Sequence, residues 1–192
     1  VVIPAHNAER FIERAVESVR NQSFSDWELI IVENGSTDAT YTVCEQFLDD
    51  ERIVLAQSAK GVSNARNTGL ALSSGSWICF LDADDYLINN ALMAFATAID
   101  ANVDLIVGEY DHNKSANRKP ELVSNDDFME LSLCNPTQYC NVTACLFRKS
   151  LINKSDLRFD SHLTHAEDSV FLVGFISANA RIKMLNQPVY HV

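Results

Sequence analysis

Trp77-Ile78-Cys79-Phe80-Leu81-Asp82-Ala83-Asp84-Asp85 is an apolar run, rich in strand formers, that stops at three carboxylates within four positions. A strand interior does not hold that much unpaired negative charge, so the acids lie at the strand's end and face water or a cation. A divalent cation relieves the repulsion among them. Carboxylate oxygens suit the hard ions Mg²⁺ and Mn²⁺, which keep open positions for phosphate groups. The stretch therefore reads as a buried strand delivering a metal- and phosphate-handling loop on an α/β scaffold.

The rest of the chain supplies that scaffold. The pattern predicts a strand over 1–4, a loop over 5–7 and a helix over 11–21 carrying Phe11, Ala15, Val16 and Val19 on one face. A second strand over 27–32 closes in the turn 33–36. Thr37 or Asp38 caps a helix bearing Val43, Cys44, Phe47 and Leu48. Then follow a strand over 52–56, a helix over 61–72, the opening strand, a helix over 91–99 and a strand over 103–107. This alternation implies a mainly parallel central sheet covered by helices, with ligands beyond the carboxyl ends of its strands. The loops 5–7, 33–36 and 82–85 thereby converge on one rim. Past residue 107 the rhythm breaks. A mobile polar loop over 112–120 holds Lys114, Arg118 and Lys119. A short helix over 126–133, a strand over 142–147, a buried helix over 168–178 and short strands over 181–185 and 189–191 are expected after it.

Composition narrows the function. The chain has 192 residues, 47% hydrophobic and 21% charged, enough for one domain with a real core. No stretch approaches the roughly 18 apolar residues of a membrane span. The net charge of −11 argues against nucleic-acid binding. It also makes Asp82, Asp84 and Asp85 better metal holders than direct phosphate contacts. The five cysteines, with no C-x-x-C pair, read as reduced structural thiols. The chain opens inside a strand, so a native N-terminus is expected upstream, and nothing assigns an oligomeric state.

Six motifs recur in order: Val1-Val2-Ile3-Pro4-Ala5-His6-Asn7, Gln22-Ser23 before Trp27, Asn34-Gly35-Ser36-Thr37-Asp38, Gly61-Val62-Ser63-Asn64-Ala65-Arg66-Asn67-Thr68-Gly69, Asp82-Ala83-Asp84-Asp85, and Glu167-Asp168 before Phe171. Together they make the chain similar, over nearly its whole length, to family 2 glycosyltransferases of the GT-A fold. That resemblance implies an α/β domain whose residues 1–108 bind the nucleotide sugar and whose residues 109–192 face the acceptor. It implies inverting transfer of a hexosyl or N-acetylhexosaminyl group, commonly from a UDP-sugar, with Mn²⁺ or Mg²⁺ as cofactor. The partners it implies are the nucleotide-sugar donor and a glycan or glycolipid acceptor. The setting is bacterial surface-glycan assembly, in the cytoplasm or peripherally at the cytoplasmic membrane face.

Carried onto this sequence, the resemblance makes Asp84 the metal contact, with Asp82 in the metal shell or at the ribose beside Ala83. Pro4, Ala5, His6 and Asn7 line the base and ribose, and His6 either stacks on the base or fills the loop. Glu33-Asn34 stands where the family often has an acidic pair, so Asn34 meets uracil or another base. Arg66 approaches base or phosphates, or pairs with an acid. Asp168 is the general base, with Glu167 orienting it or touching the acceptor; acids at a helix start also complement the dipole. His191 returns to the metal or simply ends a strand. Two other readings stand beside this one: a non-catalytic sugar-nucleotide-binding domain, and an Asp-based phosphatase or phosphotransferase. The latter expects D-x-D on the first strand rather than the fourth.

Overall fold

The computed structural model describes residues 1–111, 121–134 and 141–192, so the loop expected over 112–120 lies outside the described residues. In chain order the first elements are β1 (Val2–Ala5), α1 (Ile12–Arg20), β2 (Leu29–Glu33), α2 (Thr40–Glu45), β3 (Ile53–Gln57), α3 (Val62–Leu72) and β4 (Trp77–Cys79). Then come β5 (Tyr86–Leu87), α4 (Ala91–Ala98), β6 (Leu105–Tyr110), β7 (Glu121–Val123), α5 (Asn125–Cys134), β8 (Cys145–Arg148), α6 (Lys149–Lys154), α7 (Glu167–Ser177) and β9 (Ile182–His191).

The strands β1, β2 and β3 form a parallel sheet in that order. Every residue of β1 and β2 is buried, as expected of parallel strands covered on both faces. Helix α1 buries Ile12, Ala15, Val16 and Val19, the spacing of one helical face. A parallel bridge from Val2 to Phe80 joins this sheet to the end of β4. The second sheet runs β4-β8-β6-β9-β5, with β7 also on β9.

The parallel expectation holds for β1 to β3, for the bridge to Phe80 and for β6 with β9. It does not extend to β8, which enters antiparallel between β4 and β6. Hydrophobic pattern marks a buried strand without giving its direction, which pairing decides. The two short strands expected near the end are one strand, β9, with register slips opposite Glu109. Strands β5 and β7 and helix α6 span two, three and six residues, too few for a period to register.

Apolar clusters lie on both faces of the sheet. One joins α1 and α4 through Ile12, Val16, Leu92 and Phe95. The other is aromatic: Phe80 meets Phe159 edge-on at 5.2 Å, and Phe159 stacks on Phe171 at 4.1 Å. Helix α3 reaches β1 closely because Gly69 has no side chain; a Cβ there would sit 2.3 Å from Val2. At the opposite end of the second sheet, buried Asp104 joins β6 to Arg181 (2.7 Å) and to Arg148 at the end of β8 (3.0 Å).

Candidate active site

The carboxyl ends of β1 and β2, the start of α3 and the loop after β4 surround a cleft of about 390 Å³. That size suits a small-molecule ligand. Its walls are Pro4, His6, Asn7, Ala8, Phe11, Asn34, Lys60, Gly61, Val62, Arg66, Asp82, Ala83 and Asp84. Three expected loops therefore do converge. Phe11, Lys60 and Val62 join them without having been singled out as site residues. The signal for Lys60 was its place just ahead of α3, where a cation and helix N–H groups can face one anion.

The β1 and β2 loops are stitched mainly through backbone. Asn7 adopts a positive φ of 50° and accepts the Thr37 N–H at 2.8 Å, while its own N–H meets Ser36 Oγ at 3.0 Å. Asn34 donates from Nδ2 to the Ala5 carbonyl at 2.9 Å and accepts the Gly61 N–H at 3.2 Å. Its polar atoms thus hold β1 and the α3 entry together, while the residue also lines the cleft. Glu33 turns away from the cleft and accepts the Ser36 N–H and a Gln57 amide hydrogen at 3.4 Å. Burial raises its pKa, but the Ser36 and Gln57 hydrogen bonds outweigh this and hold the carboxyl below its ordinary range. Ala5 is buried beneath the loop. Of the expected contacts here, Pro4, His6, Asn7 and Asn34 line the cleft, whereas Ala5 and Glu33 support it. The buried His6 Nδ1 has no partner among the described residues.

Arg66 is the centre of the site. Its side chain is 5% exposed, and it donates to Asp82 Oδ1 at 3.0 Å and to Glu167 Oε1 at 2.9 Å. Its guanidinium also lies over the Phe159 ring at 5.3 Å. One cation thereby joins the acid loop after β4 to the first turn of α7, where Glu167 lies 101 residues beyond Arg66. Its buried Nε has no partner among the described residues, and Arg66 itself lines the cleft.

The acid loop is held from two further sides. Arg14 donates to the Asp84 carbonyl at 2.6 Å and covers the Tyr86 ring at 4.7 Å. The buried Tyr190 hydroxyl donates to Asp85 Oδ2 at 2.8 Å and accepts the Asp82 N–H at 3.0 Å. Burial pushes the Asp85 carboxyl up to about 6; the Tyr190 bond opposes this, and the Asp82 and Asp84 charges add to it. Burial likewise pushes the Tyr190 phenol up, keeping it a donor. Asp85 is thus a structural anchor, and Asp84, whose side chain makes no hydrogen bond or ion pair among the described residues, is presented to the cleft.

Asp168 lies in the first turn of α7, after Ala166 at a φ of 60°. Burial raises the pKa of its carboxyl, and the Glu167 charge adds to that. The Ser169 N–H, 2.7 Å away, and Arg66 oppose it. Raised proton affinity at a helix start beside an arginine-bound acid is a setting for a general base. His191 stacks on Tyr86 at 4.2 Å and pairs through Nδ1 with Asp111, so that nitrogen is engaged.

The donor set fits a hard divalent cation. Asp84 offers a carboxylate with no hydrogen-bond or ion-pair partner among the described residues, and Asp82 keeps Oδ2 beyond its Arg66 bond. Among the described residues no three His, Cys, Asp or Glu side chains form a metal cage, so a cation here would draw part of its shell from ligand oxygens. Among them also, no helix is long and apolar enough to cross a membrane.

Comparison with known proteins gives a consistent picture. Residues 1–159 match the model of glycosyl transferase family 2. The uncharacterized glycosyltransferase EpsJ of Bacillus subtilis is 30% identical over 203 residues, covering 99% of this chain and 59% of EpsJ. The E. coli UDP-Glc:alpha-D-GlcNAc-diphosphoundecaprenol beta-1,3-glucosyltransferase WfgD is 34% identical over 58% of this chain and 45% of its own length. Among solved structures, Staphylococcus aureus TarS 1-349 in complex with UDP superposes over the whole chain and 59% of its own length, with a TM-score of 0.84 at 23% identity. The chain thus spans less than two thirds of these relatives.

Proposed function

The chain belongs to glycosyl transferase family 2 and has its GT-A fold, and from that premise we propose that it transfers a sugar, with inversion, from a UDP-sugar to a hydroxyl of a glycan or glycolipid acceptor. The observation that carries the reading is Arg66, which holds Asp82 and Glu167 in one site. A cleft for the nucleotide and a carboxylate for the acceptor are thereby brought side by side.

Each part then has a task. Pro4, His6 and Asn7 shape the pocket for the base and ribose. Arg66 and Lys60 set positive charge against the diphosphate in an otherwise acidic chain. Asp84 and Asp82 would hold Mg²⁺ or Mn²⁺, which supplies Lewis-acid stabilisation of the departing diphosphate. Asp168 takes the proton of the acceptor hydroxyl as that oxygen attacks the anomeric carbon from the face opposite the nucleotide. The bond from that carbon to the β-phosphate oxygen breaks, and its electron pair leaves with UDP. Glu167, fixed by Arg66, keeps Asp168 and the acceptor aligned.

Solved complexes of TarS with UDP and with UDP-GlcNAc, and the UDP-Glc in the name of WfgD, support a UDP donor carrying glucose or N-acetylglucosamine. WfgD is named as a glucosyltransferase acting on a GlcNAc-diphosphoundecaprenol and TarS as a poly(ribitol-phosphate) beta-N-acetylglucosaminyltransferase, and these names support a glycan polymer or lipid-linked sugar as the acceptor in surface-glycan assembly. The test is a thermal-shift screen of UDP-, GDP- and dTDP-sugars with and without Mn²⁺. A Mn²⁺-dependent rise in melting temperature with a UDP-sugar, matched by release of UDP when acceptor is added, is the expected result. Binding without UDP release would favour the non-catalytic reading. No response to any donor would contradict both.

A further inference from the structure

We propose that Glu109 is a sugar-recognition residue, accepting hydrogen bonds from the hydroxyls of a sugar ring bound at the rim; the proposal rests on the transferase reading above. Glu109 is only 3% exposed, and its Oε2 is buried with no partner among the described residues. Across the β6–β9 ladder it faces Pro188, with register slips on that side of the pairing. Proline has no N–H, so the backbone opposite offers no donor there. Leaving a buried acceptor unpaired is costly, more so for a charge, and a ligand that supplies the donor removes that cost.

Strand β8 is antiparallel to both β4 and β6, so β6 runs with β4 and ends on the rim that carries Asp82 and Asp84. The face is also fixed. Leu105 and Val107 pack with Phe80, Phe159 and Phe171, whereas Ile106 and Tyr110 pack in the other cluster. A side chain on Gly108 would strike Val189, also of the other cluster. Strand alternation therefore puts Glu109 on the face of Phe159, over which Arg66 reaches Glu167. A carboxylate repels a diphosphate, and an ionised one is acceptor-only, so the neutral, hydroxyl-rich part of the substrates is what it suits.

The ring is either the sugar being transferred or the terminal sugar of the acceptor, and one variant separates them. Glu109→Gln keeps the shape and removes the charge. We expect it to bind UDP within twofold of wild type and to melt at no lower temperature. If the ring is the transferred sugar, the KM for UDP-sugar rises about tenfold or more, the loss of a charge-assisted hydrogen bond, and hydrolysis of UDP-sugar without acceptor slows. If it is the acceptor's, that hydrolysis is unchanged and the acceptor KM rises instead. Glu109→Asp, which keeps the charge, should fall between in either case and carries the same readouts should the Gln variant fail to fold. Unchanged constants for both substrates, or loss of UDP binding in step with them, would overturn the proposal. A wild-type protein that binds UDP-sugar but neither hydrolyses nor transfers it would overturn the transferase reading itself.

Discussion

The two sides of the cleft are held in different ways. On the β1–β2 side, loops are locked at short range across adjacent parallel strands: Asn7 to Ser36 and Thr37, Asn34 to Ala5 and Gly61. On the side formed by α7 and β9, a few side chains reach across the chain: Arg66 to Glu167, and Tyr190 to Asp85 and Asp82. The first side is a rigid seat. The second is docked onto it through buried polar contacts, whose loss leaves charges unpaired. Small displacements of that second side are enough to move the proposed base, Asp168, relative to the donor.

That contrast can be broken most severely at Arg66. Replacing it by Ala leaves Asp82 and Glu167 without their shared cation, a change expected to cost about 3–5 kcal/mol as for a broken buried pair. Chemical denaturation should report the loss, and transfer should be abolished. Replacing Asn64, whose side chain makes an exposed hydrogen bond to the Lys60 carbonyl in the same turn, should leave stability within about 0.5 kcal/mol.

The next effect is expected at Tyr190→Phe. Loss of the hydroxyl strips a donor from Asp85 and an acceptor from the Asp82 N–H, a cost of about 1–3 kcal/mol. Because the loop after β4 loses its anchor, the concentration of Mn²⁺ needed for half-maximal transfer should rise more than the KM for UDP-sugar. An equal rise in both would reduce Tyr190 to a packing residue.

The smallest effect tests the far end of the second sheet. Hydrogen bonding from Arg181 holds the Asp104 carboxyl below its usual range, burial opposing it and Arg148 adding to it. A depressed folded pKa stabilises the protein above the unfolded carboxylate pKa and loses that contribution as pH falls through the folded one. Asp104→Asn should therefore lower stability by about 1 kcal/mol at pH 7, partly exposed partners weakening the pair, with the difference shrinking below about pH 4. A pH-independent difference would assign the effect to packing.

The short-range side was largely legible in the sequence, because its signals are local. The spacing of Ala15, Val16 and Val19 marked α1, although Ile12 and not the exposed Phe11 completes its buried face, and strand ends carrying Asn, Gly and Asp marked the rim. The docked side was legible only in pieces. Arg66 and Glu167-Asp168 were visible as residues, but their meeting is a tertiary fact. Arg14 under the Asp84 carbonyl and Tyr190 under Asp85 join residues 70 and 105 apart and leave no periodic trace. Asn34 was visible as a strand-end amide at the rim, but its bonds to the Ala5 carbonyl and the Gly61 N–H are tertiary facts that no local pattern announces.

The central claim is that donor binding and proton removal belong to different sides of one cleft. Calorimetric titration of UDP-sugar with Mn²⁺ into Asp84→Asn and Asp168→Asn, alongside a transfer assay, tests it directly. Both variants should lose transfer, Asp168→Asn by roughly 10²–10⁴-fold as for a missing general base. Only Asp84→Asn should lose the Mn²⁺-dependent part of donor binding. Undiminished transfer in Asp168→Asn, or Mn²⁺-dependent binding that survives in Asp84→Asn, would contradict the account.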